Sequence, residues 1–360
     1  MKILYLINYN LNENSGVINK IRQQVCEWKR NNSVYLFSIS NFTLYDADFN
    51  IISKKENFPL FLNRKGKIFT FLRLLYSSYK LPKIIQDIQF DMIYMRYLLY
   101  MPFLISIIKK YKVIMEINSD DILEYKLGSK LTYYYNLFTR DKILNNMNGF
   151  VAVSDELKEK FLHYKKSIKV IANGIDSKSY HYRLKIDTIK PTLVFIGSPN
   201  QSWHGIDKIE KMAKYFSKYQ FYIIGISKKD THNIKYLGYL KNEKATEIIS
   251  QCDIGIGTLS LYQKGLTEAS PLKTRQYFAC ALPVIYGYKD TDIQEDIDFG
   301  LQLENCDNNM DYKKIETFVE KVYKNEFYRK EARRFAEDVL DYRIKEKKRI
   351  SFFDKVLNDD

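Results

Sequence analysis

Glu268 and Gln276 bracket the run Ala-Ser-Pro-Leu-Lys-Thr-Arg, and this stretch holds the residue types best suited to chemistry in the chain. An acid closes a loop, Ser270-Pro271-Leu272-Lys273 opens a helix, and a polar side chain follows two turns after the acid. A helix start presents free backbone N–H groups and the positive end of its dipole, which together suit a diphosphate. Pro271 stands where a first turn tolerates a missing N–H. Lys273 adds a full charge and precedes Gln276 by three residues, so the two share a helix face. This is the chemistry expected of a nucleotide-sugar site. Pro271, Leu272 and Lys273 would meet the diphosphate at that helix start, and the Gln276 amide can both donate and accept.

Such a site must be carried by parallel strands and crossing helices, and short β-rich runs alternate with amphipathic runs along the whole chain. Strands are predicted at Ile3 to Ile7, Val34 to Ser38, Met92 to Met95, Val113 to Ile117, Phe150 to Val153 and Lys169 to Ile171. The pattern restarts at Thr192 to Gly197 and continues near Phe221 to Gly225, Ile234 to Gly238, Asp253 to Gly257 and Pro283 to Tyr286. Val17, Ile18, Ile21, Val25 and Trp28 recur at helical spacing, which places Gly16 at a strand-to-helix turn where backbone can approach a phosphate. At 360 residues two domains are the natural expectation. The expected division is 1–183, 184–340, and a terminal helix over 341–360. Ligands of open parallel sheets sit beyond the carboxyl ends of the strands, so the loops after Ile7, Ile117, Gly197, Gly238 and Gly257 are the expected binding edge.

The run from Glu268 to Gln276 resembles the signature of the retaining GT-B glycosyltransferases of family 4, which build bacterial surface polysaccharides: an acid, seven residues, then a second acid. In that family the first acid holds the donor sugar's hydroxyls and the second the ribose, so the resemblance implies the first role for Glu268 and the second for Gln276, which stands where the family has its second acid. Ser15-Gly16-Val17 is similar to the family's N-terminal glycine loop, Asn173-Gly-Ile-Asp176 to its interdomain segment, and Trp203-His-Gly-Ile-Asp207 to its aromatic-Lys-Gly-Ile-Asp run. The resemblance implies an α/β GT-B fold, with two Rossmann-like, doubly wound parallel-sheet domains facing a central cleft. The first would present the acceptor, the second would hold the donor, and the last helix would cross back. It implies that Gly197, Ser198 and His204 lie at the diphosphate, Ser198 and His204 standing where the family commonly has Arg and Lys. A shared diphosphate would raise the His204 pKa, and Lys273, with Arg275, would take over part of the charge. Gly238 and Tyr239 match the segment that contacts the base. The family's His after the fourth strand is missing from Val113 to Asp121, so Asn118 or Asp120 is expected at the donor sugar. No covalent nucleophile, cofactor or metal is implied.

The remaining features narrow the class. Cys26, Cys252, Cys280 and Cys306 are far apart and read as reduced thiols of a cytoplasmic protein. No apolar run reaches the roughly 20 residues that cross a bilayer. A formal net charge of +14 asks for an anionic partner, and the segment from Lys54 to Lys83 mixes Lys54, Lys55, Arg64, Lys65, Lys67, Arg73, Lys80 and Lys83 with aromatic and aliphatic residues against one acid, Glu56. That mixture suits the inner, anionic face of a membrane; a solvated helix face is the alternative. Asp46-Ala-Asp48 reads as a surface loop, Asp120-Asp121 lacks a third metal ligand, and Gly255-Ile-Gly257 lacks the rest of a dinucleotide fingerprint. No nucleic-acid module is present. The expected activity is transfer of a sugar from a nucleotide-sugar to a lipid-linked or saccharide acceptor of a capsule, O-antigen or exopolysaccharide. Two readings stay open beside it: a GT-B scaffold that has lost transfer and serves as a binding subunit, and a nucleotide-sugar epimerase of the same fold.

Overall fold

The computed structural model describes residues 1–13, 15–54, 58, 59, 62, 64, 66–307 and 310–359. They form two compact units, Met1–Ile171 with Glu346–Asp360, and Ala172–Lys345.

In the first unit the chain runs through β1 (Lys2–Ile7), α1 (Gly16–Trp28), β2 (Ser33–Ser38), β3 (Thr43–Tyr45), β4 (Ile51–Lys54), α2 (Lys67–Ile85), β5 (Met92–Arg96), α3 (Pro102–Ile108), β6 (Lys112–Ile117), α4 (Asp121–Gly128), α5 (Lys130–Leu144), β7 (Gly149–Ala152), α6 (Asp155–Phe161) and β8 (Ser167–Val170). The strands stand in the order β4-β3-β2-β1-β5-β6-β7-β8, parallel except for β3 and β4. Ile3 to Ile7 are all fully buried, as a strand covered on both faces requires. The Ser15 hydroxyl accepts from the Ile18 N–H at 3.2 Å and starts α1, which buries Ile18, Ile21, Val25 and Trp28. The antiparallel edge pair β3–β4 is not foreseen from sequence, because both strands are short. The Asp46-Ala-Asp48 stretch forms its turn: Asp46 Oδ1 accepts from the N–H groups of Asp48 at 2.8 Å and Asn50 at 2.9 Å.

The second unit runs through β9 (Thr192–Ile196), α7 (Ile206–Tyr215), β10 (Gln220–Ile224), β11 (Ile234–Gly238), α8 (Asn242–Ser250), β12 (Ile254–Ile256), β13 (Glu268–Ala269), α9 (Leu272–Ala279), β14 (Val284–Tyr286), β15 (Lys289–Asp290), β16 (Gly300–Gln302), α10 (Tyr312–Val322) and α11 (Glu326–Phe335), and α12 (Tyr342–Asn358) then leaves it. Its main sheet is parallel throughout, in the order β11-β10-β9-β12-β14-β16. Both units are Rossmann-like. Strand order reverses between β1 and β5 in one and between β9 and β12 in the other, the places where such sheets open a crevice.

The units divide after Ile171, ahead of the boundary expected at 183, and the backbone gives the reason. Ile175 bridges to Asp341, its N–H donating to the Leu340 carbonyl and its carbonyl accepting from the Tyr342 N–H, each at 2.9 Å. The segment after Ile171 is therefore tied to the second unit. From Glu346 onward the last helix packs on the first: Trp28 Nε1 donates to Glu346 Oε2 at 2.8 Å, and the Phe353 ring lies 5.3 Å from Trp28 and 5.1 Å from Tyr94.

The basic, aromatic segment divides in the structure. Lys55, Glu56, Leu60, Phe61, Lys65 and the side chain of Lys67 lie outside the described residues. Within α2, Leu74 is core, while the half-buried Tyr76 packs on Phe42 and Phe58 and the half-buried Arg73 donates to the carbonyls of Leu62 and Arg64, so these are engaged within the first unit. Ile68, Leu72 and Tyr79 do. No described helix is long and apolar enough to cross a membrane.

Candidate functional site

At the β9–β12 crevice the two strand ends are joined by a buried tyrosine. The Tyr277 hydroxyl accepts from the Ile196 N–H at 2.9 Å and donates to the Ile256 carbonyl at 3.0 Å. It fixes the two loops that follow, and no local signal separates it from other core tyrosines.

Gly197 follows β9 directly, and a Cβ there would stand 2.7 Å from both His204 Cε1 and Phe195 Cζ. Only glycine lets the imidazole lie on this backbone. His204 closes a short 3-10 turn, Ser202–His204, strapped to the loop after β12 by Leu259 N–H to the His204 carbonyl (3.3 Å) and Ser260 N–H to the Trp203 carbonyl (3.1 Å). Gly205 follows at φ +72°, where a side chain would also strike Leu259. Ser198 is exposed beside the imidazole.

Lys273 and His204 meet the same ring. The Lys273 Nζ lies 4.1 Å from the Phe195 ring centroid, and His204 packs on Phe195 at 5.2 Å. The Lys273 ammonium is buried and has no hydrogen-bond partner among the described residues. Burial pulls its pKa down to about 7. Burial, and then the charge of Lys273, lowers His204 to about 3 against a backbone hydrogen bond at Ser198. The imidazole is neutral here, and the cation foreseen for it requires an anion strong enough to offset burial.

Glu268 and Gln276 sit on the same β13–α9 segment. Glu268, in β13, is 4% exposed and stands opposite Lys289 of β15. Pro271 caps α9 from just outside its first residue, Leu272. The loop between them is clamped by Asn173, whose N–H donates to Ser270 Oγ at 3.2 Å and whose Nδ2 donates to the Ser270 carbonyl at 2.8 Å. Gln276 is buried, with Nε2 3.3 Å from Thr246 Oγ1 of α8. Arg275, a second cation on this helix, does not serve a ligand. It is fully buried, forks onto Asp290 and Asp292, and donates Nε to the Asn173 carbonyl at 3.2 Å. Its charge is spent in holding the loop, which corrects the share of diphosphate binding expected of it.

The other expected residues stand on other elements. Gly238 ends β11, two strands outward from β9, with φ +58°, and the ring of Tyr239 is 81% exposed. Gly16, Asn118 and Asp120 belong to the first unit. Gly16 opens α1, Asn118 Oδ1 accepts from Lys20 Nζ at 2.8 Å, and Asp120 caps α4 through Leu123 N–H at 3.0 Å while pairing with Lys160 at 2.7 Å. Among the described residues no group of three His, Cys, Asp or Glu side chains is placed to hold a metal ion.

Solved structures are similar to this chain over nearly its whole length. Sucrose-phosphate synthase from Thermosynechococcus elongatus aligns with a TM-score of 0.73 at 12% identity, over 99% of each chain. Anabaena HepE in complex with UDP-glucose aligns at 0.65 and 15%, over 99% of this chain and 100% of that one. WaaG, a glycosyltransferase involved in lipopolysaccharide biosynthesis, aligns at 0.62 and 12%, over 96% and 98%. The fold is that of the GT-B glycosyltransferases. No protein-family model matches the chain, and no curated protein matches it.

Proposed function

We propose that this GT-B chain is a retaining, metal-independent glycosyltransferase that moves a sugar from a nucleotide-sugar to a saccharide or lipid-linked acceptor in surface-glycan synthesis. The observation that carries the reading is the buried ammonium of Lys273, without a hydrogen-bond partner among the described residues, at the β9–β12 crevice beside Gly197, His204 and the start of α9. A cation held out of water without a partner is costly, and an anion entering the crevice offsets that cost. Anabaena HepE, of the same fold, is seen with UDP-glucose. In the proposed reaction the bond from the anomeric carbon to the diphosphate oxygen breaks and a bond to the acceptor oxygen forms on the same face. The acceptor proton passes to the departing diphosphate. Lys273 stabilises the charge that grows there, and Glu268 fixes the sugar through its hydroxyls. Incubation with UDP-, GDP- and dTDP-sugars and saccharide acceptors should yield nucleoside diphosphate and an anomerically retained product by proton NMR. Tight nucleotide binding with no transfer to any acceptor would favour a binding scaffold, the reading to which the neutral His204 also points.

Gln276 is assigned to the ribose. Gln276→Leu should weaken nucleoside diphosphate by about 1–3 kcal/mol, since the ribose hydroxyls would face an apolar group, while Gln276→Glu is tolerated. Calorimetric titration of UDP decides this, and equal affinity in the Leu variant would leave Gln276 a helix residue bonded to Thr246.

The surface of the first unit supports docking on an anionic membrane. On α5, Leu131 and Phe138 are 75% and 77% exposed, with Tyr134 and Leu137 beside them. A Phe71–Tyr135 ring contact at 5.2 Å sets α2 against this helix, and α2 has no Asp or Glu. Apolar side chains flanked by cations suit anionic lipid, at about 1 kcal/mol for each Lys or Arg near the surface. Co-sedimentation should require phosphatidylglycerol, fall with salt, and drop on Lys83→Glu with Phe138→Glu. Binding to neutral vesicles, or binding that survives the double variant, would remove the membrane from the proposal.

A further inference from the structure

At the β1–β5 crevice of the first unit the buried charges do not balance. Glu116, fully buried on β6, is met by Lys20 Nζ at 2.8 Å, Arg96 Nη1 at 3.1 Å and Arg349 Nη1 at 3.3 Å. Glu346 supplies a second acid, 2.8 Å from Arg349 Nε. Among the described residues, three cations thus share two acids. A cluster built only to hold the fold would neutralise itself, because burying excess charge is expensive.

The excess can be located. Arg349 is committed to Glu116, Glu346 and the Tyr94 hydroxyl at 2.6 Å, and Lys20 to Glu116 and Asn118. Arg96 is 8% exposed, yet among the described residues a single one of its N–H donors is used, by Glu116 Oε2. It is the last residue of β5, and its guanidinium lies 5.4 Å from the ring centroid of Tyr9 in the loop after β1. Tyr9 is half-buried, as are Tyr97, the residue after Arg96, and Tyr125, whose rings are 6.5 Å apart. Partly exposed tyrosines with an unspent guanidinium fork match a sugar that carries a carboxylate or phosphate: the rings offer an apolar platform and the fork takes two oxygens.

We propose that the β1–β5 crevice binds an anionic saccharide, with Arg96 holding the acidic group and Tyr9 the sugar face. The inference rests on reading the first unit as the acceptor-binding half, and it narrows the acceptor class to sugars bearing an acidic group. The test is titration of the full chain with glucuronate, glucose 6-phosphate and glucose, followed by calorimetry or ligand-observed NMR. The two anionic sugars should bind roughly ten-fold or more tighter than glucose, as charge-assisted bidentate bonds imply. Arg96→Gln should abolish that preference, and Tyr9→Ala, at the open mouth, should weaken all three sugars. Lys273→Met should leave the preference intact. Equal binding of the three sugars by the unmodified chain would overturn the proposal, as would a preference that survives Arg96→Gln or one lost in Lys273→Met instead. Should Arg96→Gln fail to fold by circular dichroism, Tyr9→Ala decides, and unchanged sugar binding in it rejects the site. UDP titration separates the two readings: UDP that fails to bind while the Arg96-dependent preference stands defeats the donor assignment alone.

Discussion

Lys273→Met should weaken UDP, or whichever nucleoside diphosphate binds, by about 1.5–3 kcal/mol, roughly a 10- to 150-fold rise in Kd. The ammonium is buried over Phe195 with no competing hydrogen-bond partner among the described residues, so its interaction with a phosphate oxygen is not diluted by water. The pH dependence follows from the same burial. Burial lowers the folded pKa to about 7 from the ordinary lysine value of 10.5. Between those values the unfolded chain holds a proton that the folded chain lacks, so this group makes stability rise with pH across that window. A diphosphate favours the charged form. Binding above pH 7 should then take up a proton, and affinity should fall as pH rises, by as much as about ten-fold per unit. Calorimetry at pH 8 in buffers of different ionisation enthalpy measures the uptake, and Lys273→Met should abolish it. Proton uptake that persists in the variant, or a Kd unchanged by it, would remove Lys273 from the diphosphate.

Glu268→Ala should abolish detectable transfer while leaving nucleoside diphosphate affinity within about two-fold of the unmodified chain. Charged hydrogen bonds from a carboxylate to sugar hydroxyls contribute about 1.5–3 kcal/mol each at a site shielded from water, so losing two lowers kcat/KM roughly a hundred-fold or more. Glu268→Gln keeps the volume of a side chain that is 4% exposed, and separates lost charge from lost packing. It should remain strongly impaired. A kcat/KM within a few-fold of the unmodified enzyme in the Ala variant would exclude Glu268 from the donor sugar.

These assignments differ in how they were reached. The central parallel strands were legible because both of their faces are covered, which leaves unbroken apolar runs such as Ile3 to Ile7. The Glu268–Gln276 segment was legible because its spacing is local: one turn of chain sets the acid, the helix start and the cation in order. The edge strands β3 and β4 were missed because three or four residues carry too little pattern to stand out from a loop. The short parallel pair of Glu268 and Ala269 with Lys289 and Asp290 was hidden for the same reason.

Lys273 and Arg275 show where local reading ends. Two residues apart on one helix, they give the same signal in the sequence. Asp290 and Asp292 return beside Arg275 and consume its charge, whereas Lys273 meets an aromatic ring and keeps its donors. Arg96 was also invisible as a site residue, since its excess charge appears only when Lys20, Glu116, Glu346 and Arg349 are brought around it. The layered α/β plan and the segment that carries the candidate donor site can be read from the residues in order, because both depend on periodicity and nearest neighbours. The tertiary structure alone decided which charges remain available, because a buried charge is neutralised by whatever partners the fold delivers, and those partners lie up to hundreds of residues away along the chain.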